Sequence, residues 1–244
     1  MGARVPSLLS CCLAEALGTF ILVFLGCGAV HAAVLAGAHS GLWQVAVVWG
    51  VAVALAIYHP YLAEKERAKG VTRGQPGSEL TAMCYGEYFP NPGPLAAAEG
   101  KYDPEARPAF DSRVSELGAV LAEVIGTLLL ALVVFAVTDG RNPARPGARL
   151  EPAFIGLTVA VLISVIAPLT QACFNPARDF GPRLVAACTG WGPVAIPGPR
   201  GGFLTVYVLA PTLGAVLGGG LYLGVLRPAL PPEAPEPSLG GEQR

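Results

Sequence analysis

The chain has 244 residues, of which 53% are apolar and only 14% charged, and its mean hydropathy is +0.54. Soluble domains carry about a quarter charged residues, so this is the composition of an integral membrane protein; disorder, collagen and coiled coil, which need polar or strictly repetitive sequence, are excluded. A net charge of −1, from 16 Lys+Arg against 17 Asp+Glu, leaves no basic field for nucleic acid.

Uncharged apolar runs of about 17–25 residues can cross a hydrocarbon core of roughly 30 Å as helices. Five occur, in chain order: Leu8–Val34, Leu42–Tyr58, Leu117–Val137, Ala153–Thr170 and Phe203–Leu226. The first is longer than the apolar stretch of a signal peptide and contains Glu15, so it reads as a retained helix. Between the second and third, Lys65–Arg113 is rich in Pro, Gly and charge and reads as a loop in water. The shorter stretch Phe174–Cys188 holds Arg178, Asp179 and Arg183 and cannot span alone. From Pro228 onward the Pro-rich tail is predicted to be disordered. The pairs Gly214/Gly218 and Gly220/Gly224 have the spacing that lets helices approach closely in lipid.

Six Cys and three His form neither CxxC pairs nor metal-ligand spacings. No Ser/His/Asp or Cys/His grouping and no phosphate loop accompanies them, so the sequence predicts no metal, no cofactor and no enzyme.

Chemistry enters through an internal repeat. Leu13-Ala14-Glu15-Ala16-Leu17-Gly18-Thr19 recurs 108 positions later as Leu121-Ala122-Glu123-Val124-Ile125-Gly126-Thr127. A carboxylate at membrane depth is costly and marks a functional site by default, and two copies in matching context strengthen that reading. Repeats of this kind build a site at their interface from discontinuous helices near the midplane. The second half contains such a helix in Gln171-Ala172-Cys173-Phe174-Asn175-Pro176-Ala177-Arg178-Asp179-Phe180-Gly181-Pro182-Arg183. Pro176 suits the first helical position, and Asn175 is a favoured cap before it. The helix would aim its positive end at the membrane centre with Arg178 beside the opening. An arginine with half-helix dipoles passes neutral polar solutes while excluding protons and cations. Cys173, two residues before Asn175, is placed to report on such a pore through thiol chemistry.

These residues resemble the major intrinsic protein family, the aquaporins and aquaglyceroporins, over roughly residues 8–58 and 114–227. Asp179 after the arginine is similar to the glycerol-conducting branch, as is the stretch from Leu42 to Tyr58. The resemblance implies a channel for water or small neutral polyols such as glycerol, multi-pass in the plasma membrane and homotetrameric. It implies that Asn175, Pro176 and Ala177 form the second NPA box, with the asparagine amide donating to the permeant molecule. Arg178 and Trp49 match the outer selectivity filter, and an aromatic wall opposite a guanidinium suits glycerol. Glu123 matches the glutamate that holds the NPA loop, and Glu15 is its first-repeat counterpart. Two filter positions depart: Ala172 stands where glycerol channels often carry an aromatic, and Ile163 where they carry a small residue.

A larger departure follows from the repeat. The partner of Asn175 should lie near residue 67, where the chain reads Glu64-Lys65-Glu66-Arg67-Ala68-Lys69. The twin of the last span should start near residue 95, yet residues 95–119 hold eight charged side chains. The expected fold is therefore an all-α, aquaporin-like bundle with an incomplete inverted repeat, five spanning helices and one re-entrant half-helix. Residues 8–58 form the first-repeat helices, 59–113 a polar loop in place of the missing half-helix and third span, 114–227 the second repeat, and 228–244 the tail. Glu15 would lack the loop it should brace. Conduction is then expected to be impaired, and the alternative is a non-conducting subunit that assembles with full-length relatives and modulates them. Asn142-Pro143-Ala144-Arg145 repeats the motif inside a polar connector and reads as coincidence, because no helix follows. Counting basic residues puts the 59–113 loop in the cytoplasm, whereas the family resemblance implies a cytoplasmic Arg141/Arg145/Arg149 connector, and the one span between them forbids both.

Overall fold

The computed structural model describes residues 65–231. The expected spans Leu8–Val34 and Leu42–Tyr58, with Glu15 and Trp49, and the tail beyond 231 lie outside the described residues. Within them the chain is helical throughout. After a helical turn at 65–69 come α1 (Glu79–Ala82), α2 (Gly93–Ala97) and α3 (Arg107–Asp111). The long helices α4 (Glu116–Thr138) and α5 (Glu151–Thr170) follow, then the short α6 (Pro176–Ala186) and finally α7 (Ala210–Leu221). Wider π-helical turns extend α7 at both ends, Phe203–Leu209 and Tyr222–Leu226. Among the described residues, three helical rods are long and apolar enough to cross a membrane: those containing α4, α5 and α7.

Helix α4 is the axis of the bundle. Ser115, in extended conformation, opens it by accepting from the Gly118 N–H, and Glu116 sits at the positive end. Leu117, Leu121, Ile125 and Leu129 form an exposed stripe, while Ala119, Glu123, Gly126 and Thr127 are buried. That face meets α7, where the glycine spacing does its work. A Cβ on Gly214 would collide with the Val124 carbonyl, and one on Gly218 with that of Leu128. Backbone therefore lies against backbone, as small residues allow in lipid. Gly220 and Gly224 depart from expectation: both are exposed, and no described residue lies within 4 Å of a Cβ built there.

At the C-terminal end of α4, Asp139 accepts from the Tyr222 hydroxyl at 3.1 Å and from Arg227 at 3.2 Å. The Arg141 backbone N–H, then Tyr222 and the nearby guanidinium, hold the Asp139 carboxyl below its ordinary pKa. Arg141 closes the other rod, its guanidinium donating to the carbonyls of Arg227, Leu230 and Pro231. Residues 228–231, expected to be disordered, are thus held. Within this connector Asn142 accepts from the Ala144 N–H and donates to the Ala136 carbonyl, and no helix is opened by Asn142-Pro143-Ala144-Arg145.

The 65–113 segment differs most from its reading as a loop in water. Leu80, Ala82, Met83, Cys84, Tyr88 and Ala96 form a core with Ala186, Trp191, Val194 and Ala195. Trp191 is fully buried, its indole N–H between the Ser78 carbonyl and the Thr81 hydroxyl, with the Arg73 guanidinium 4.0 Å from its ring. The segment is a folded cap. Its helices are too short and its apolar residues too irregular to give a periodic signal. It packs at the N-terminal end of α4, whereas the Arg141 connector leaves the C-terminal end; 23 helical residues separate them by about 35 Å. The two basic loops therefore lie on opposite faces.

Replacing Gly218 by Leu is expected to overpack the α4–α7 contact and cost about 1–3 kcal/mol, whereas Gly220→Leu should change stability by less than about 0.5 kcal/mol. Thermal unfolding in detergent micelles distinguishes the two, and equal effects would contradict the packing described.

Candidate solute-conducting site

The site begins where α5 stops. Gln171, Ala172 and Phe174 all have positive φ, at 65°, 60° and 55°. That conformation is sparsely populated for residues with a side chain, and each instance costs on the order of 1–3 kcal/mol unless its surroundings enforce it. The enforcement comes from Glu123, wholly buried in the middle of α4. One carboxylate oxygen accepts from the Thr170 hydroxyl at 2.6 Å and the Cys173 N–H at 2.9 Å, the other from the Phe174 N–H at 2.8 Å. Both oxygens are thereby occupied, which is how a carboxylate survives away from water. One turn later along α4, Gly126 leaves the space that the Phe174 ring fills. The Glu-x-x-Gly spacing is thus a polar clamp and an apolar socket for the same bend.

At Asn175 the backbone returns to an extended conformation, φ −144°, and α6 starts with Pro176. The Asn175 side-chain oxygen accepts from the N–H groups of Ala177 at 3.0 Å and Arg178 at 3.2 Å. With Oδ1 committed to the cap, Nδ2 is the free end, and among the described residues none accepts from it. Ala177 is exposed, Asn175 and Pro176 are partly so, and Arg178 is 9% exposed. A helix N-terminus, an uncommitted amide donor and a guanidinium therefore occupy one short stretch. Ile163 and Ala172 join Leu162, Ile166, Ala167 and Phe174 in one buried apolar cluster beneath it. Cys173 is also buried, its thiol donating to the Asn175 carbonyl at 3.3 Å and directed toward that of Tyr207. It faces the α7 side, so it is not the open reporter that its position in sequence suggested.

Contacts that the sequence did not reveal hold the cap to this helix. Asp179 and Arg183, one turn apart on α6, pair at 2.6 Å and are both buried. Asp179 also accepts from the Glu87 N–H at 2.6 Å, and Arg183 donates to the Glu87 and Ala195 carbonyls. The rings of Tyr88, Phe203 and Tyr207 surround the Arg183 guanidinium at 4.8–5.2 Å. The Gln171 side chain accepts from the Tyr88 N–H at 2.8 Å. Tyr88 donates its hydroxyl to the Val194 carbonyl, and burial raises its pKa. Glu87 itself forms an ion pair with Arg178. The i,i+4 acid–base pair on α6 was visible in sequence; a loop glutamate 91 positions upstream of its arginine was not.

Comparison with known proteins decides what this arrangement belongs to. The profile of the family described as "Major intrinsic protein" matches residues 3–61 and 95–222. The chain belongs to the major intrinsic protein family. It is 34% identical to the glycerol uptake facilitator protein of Pseudomonas aeruginosa over 284 residues, covering 95% of this chain and 94% of that one. It is 33% identical to the propanediol uptake facilitator PduF of Citrobacter freundii, with 92% and 95% covered. Its fold matches the X-ray structure of the aquaglyceroporin from Plasmodium falciparum with a TM-score of 0.60 at 21% identity, covering 88% and 96%. The family is one of membrane channels for small neutral solutes rather than enzymes. The alignment of 284 residues is longer than this 244-residue chain, so the Pseudomonas protein carries stretches that this one lacks.

Substituting Glu123 by Ala is expected to leave two backbone N–H groups and a hydroxyl unpaired at a cost of about 1–3 kcal/mol each, loosening the 171–174 bend. Alkylation of Cys173, followed by peptide mass mapping, should then become faster than in the unmodified protein; an unchanged rate would show that the bend holds without Glu123.

Proposed function

We propose that the chain is a passive channel for small neutral polyols and water, built as a homotetramer in the plasma membrane, and that the half-helix opened by Asn175 is its conducting element. The observation that carries this reading is the free Asn175 amide at the start of α6, with Arg178 on the following turn. The amide and guanidinium N–H groups attract hydroxyls, and the positive helix end opposes cations and protons. Asn175, Pro176 and Ala177 serve as the NPA box, and Arg178 as the filter donor with Trp49 as its aromatic wall. Ala172 and Ile163 shape the filter on the second-repeat side. Glu123 braces the loop in this repeat and Glu15 is its counterpart in the first. The names of the relatives, facilitators of glycerol and propanediol uptake, support a short polyol over water alone and support placement at the cell boundary. The first-repeat helices occupy 8–58, a polar segment in place of the first half-helix and third span 59–113, the second repeat 114–227 and the tail 228–244.

A second reading has its own support. The family match is interrupted at residues 62–94, where the first repeat would need its own half-helix, and among the described residues only α6 has an asparagine-capped NPA start. On that reading the chain is a non-conducting subunit that packs with complete relatives and modulates them.

Stopped-flow swelling of proteoliposomes separates the two. On the channel reading glycerol flux well above that of empty liposomes is expected, and it would overturn the impaired conduction inferred from the missing first-repeat segment. Asn175→Asp keeps the capping oxygen but loses the donor; a hydrogen bond worth about 1.4 kcal/mol corresponds to about tenfold slower flux. Flux indistinguishable from empty liposomes, together with co-purification with a full-length homologue, would establish the non-conducting subunit instead.

A further inference from the structure

We propose that Glu87 is a specificity-determining residue of the channel: a fixed counter-ion that makes the constriction at Arg178 electrically neutral and so denies it to small anions. The inference rests on the reading of Arg178 as pore-lining and extends it. An unpaired guanidinium beside a helix N-terminus is an anion-binding arrangement. It excludes cations but invites chloride, and a channel for neutral solutes must reject both. The carboxylate that offsets it comes from the cap. Glu87 pairs with Arg178, and both side chains are more than nine-tenths buried.

The geometry shows that Glu87 is placed and not merely nearby. Its N–H is held by Asp179 and its carbonyl by Arg183, while the next N–H is held by Gln171. All three anchors belong to residues 171–183, the stretch that carries Asn175 and Arg178. The backbone that carries the carboxylate is therefore anchored to the same stretch that carries the guanidinium. A charge pair held this way retains polar atoms for hydroxyl groups while its net field cancels, which discriminates by charge more than by affinity. Asp179 and Arg183, adjacent in the same arrangement, form a second buried pair of opposite charges.

The test uses the full chain and two readouts. The first is the rate at which phenylglyoxal modifies Arg178, measured by peptide mass mapping, which needs no flux. The second is chloride entry into proteoliposomes loaded with a halide-quenched dye. In Glu87→Gln, modification of Arg178 is expected to be about tenfold faster than in the unmodified protein and chloride entry to rise. Glu87→Asp, which keeps the charge, should stay near the unmodified values. The double variant Glu87→Gln, Arg178→Gln, which removes both charges, should return chloride entry to baseline. If Glu87→Gln alone does not fold, recovery of folding in the double variant supports the pairing, and failure to recover counts against it. Equal rates for Gln, Asp and the unmodified protein, with Arg178 measurably modified, would overturn the role of Glu87 and leave the pore reading intact. No modification of Arg178 in any of them would remove Arg178 from an aqueous path, and the pore reading would fall together with this inference.

Discussion

A single buried carboxylate makes the half-helix possible. The chain must leave α5 and, within five residues, open a new helix capped by Asn175, and it does so through three left-handed residues, none of them glycine. Such a bend has unpaired N–H groups and backbone strain at once. Glu123 answers both, because its two oxygens take the N–H groups of Cys173 and Phe174 and the Thr170 hydroxyl. The close α4–α7 packing at Gly214 and Gly218 in turn fixes the helix that carries the glutamate. The direction of α6, and with it the positions of Asn175 and Arg178, follows from that clamp.

A second clamp works from the other side. The cap formed by residues 65–113 is tied to α6 through the Asp179–Arg183 pair and to the end of α5 through Gln171. Arg200 adds hydrogen bonds to the carbonyls of Phe89, Asp111 and Val114, tying the cap also to the start of α4. The half-helix is thus braced from within the bundle by one carboxylate and from the cap by an ion pair. A region where the family match breaks off has become a structural part of the site.

Much of the second repeat was legible because its signals are local. The spans around α4, α5 and α7 were found within a few residues, since a helix in lipid needs a continuous apolar run whatever its neighbours. The start of α6 was legible for the same reason: an Asn-Pro cap satisfies its own helix end. Legibility failed where a residue's partner is distant in sequence. The order within 65–113 comes from Trp191 and Val194, more than 70 positions away, and the anchoring of residues 227–231 from Arg141. Cys173 has a sequence position beside the Asn-Pro-Ala motif, but its orientation is set by backbone dihedrals that no spacing reveals.

The sequence by itself determined that this is a membrane channel of the major intrinsic protein family, with a capped half-helix and an arginine on its first turn, because apolar length, caps and a repeated glutamate act over one or two helical turns. The tertiary structure alone decided that Glu123 holds the strained bend, that Gly214 and Gly218 but not Gly220 and Gly224 meet a described helix, and that a loop glutamate pairs with Arg178. Those outcomes depend on which groups from remote parts of the chain are brought within hydrogen-bond distance, and in a buried, low-dielectric setting that choice of partner governs the energy.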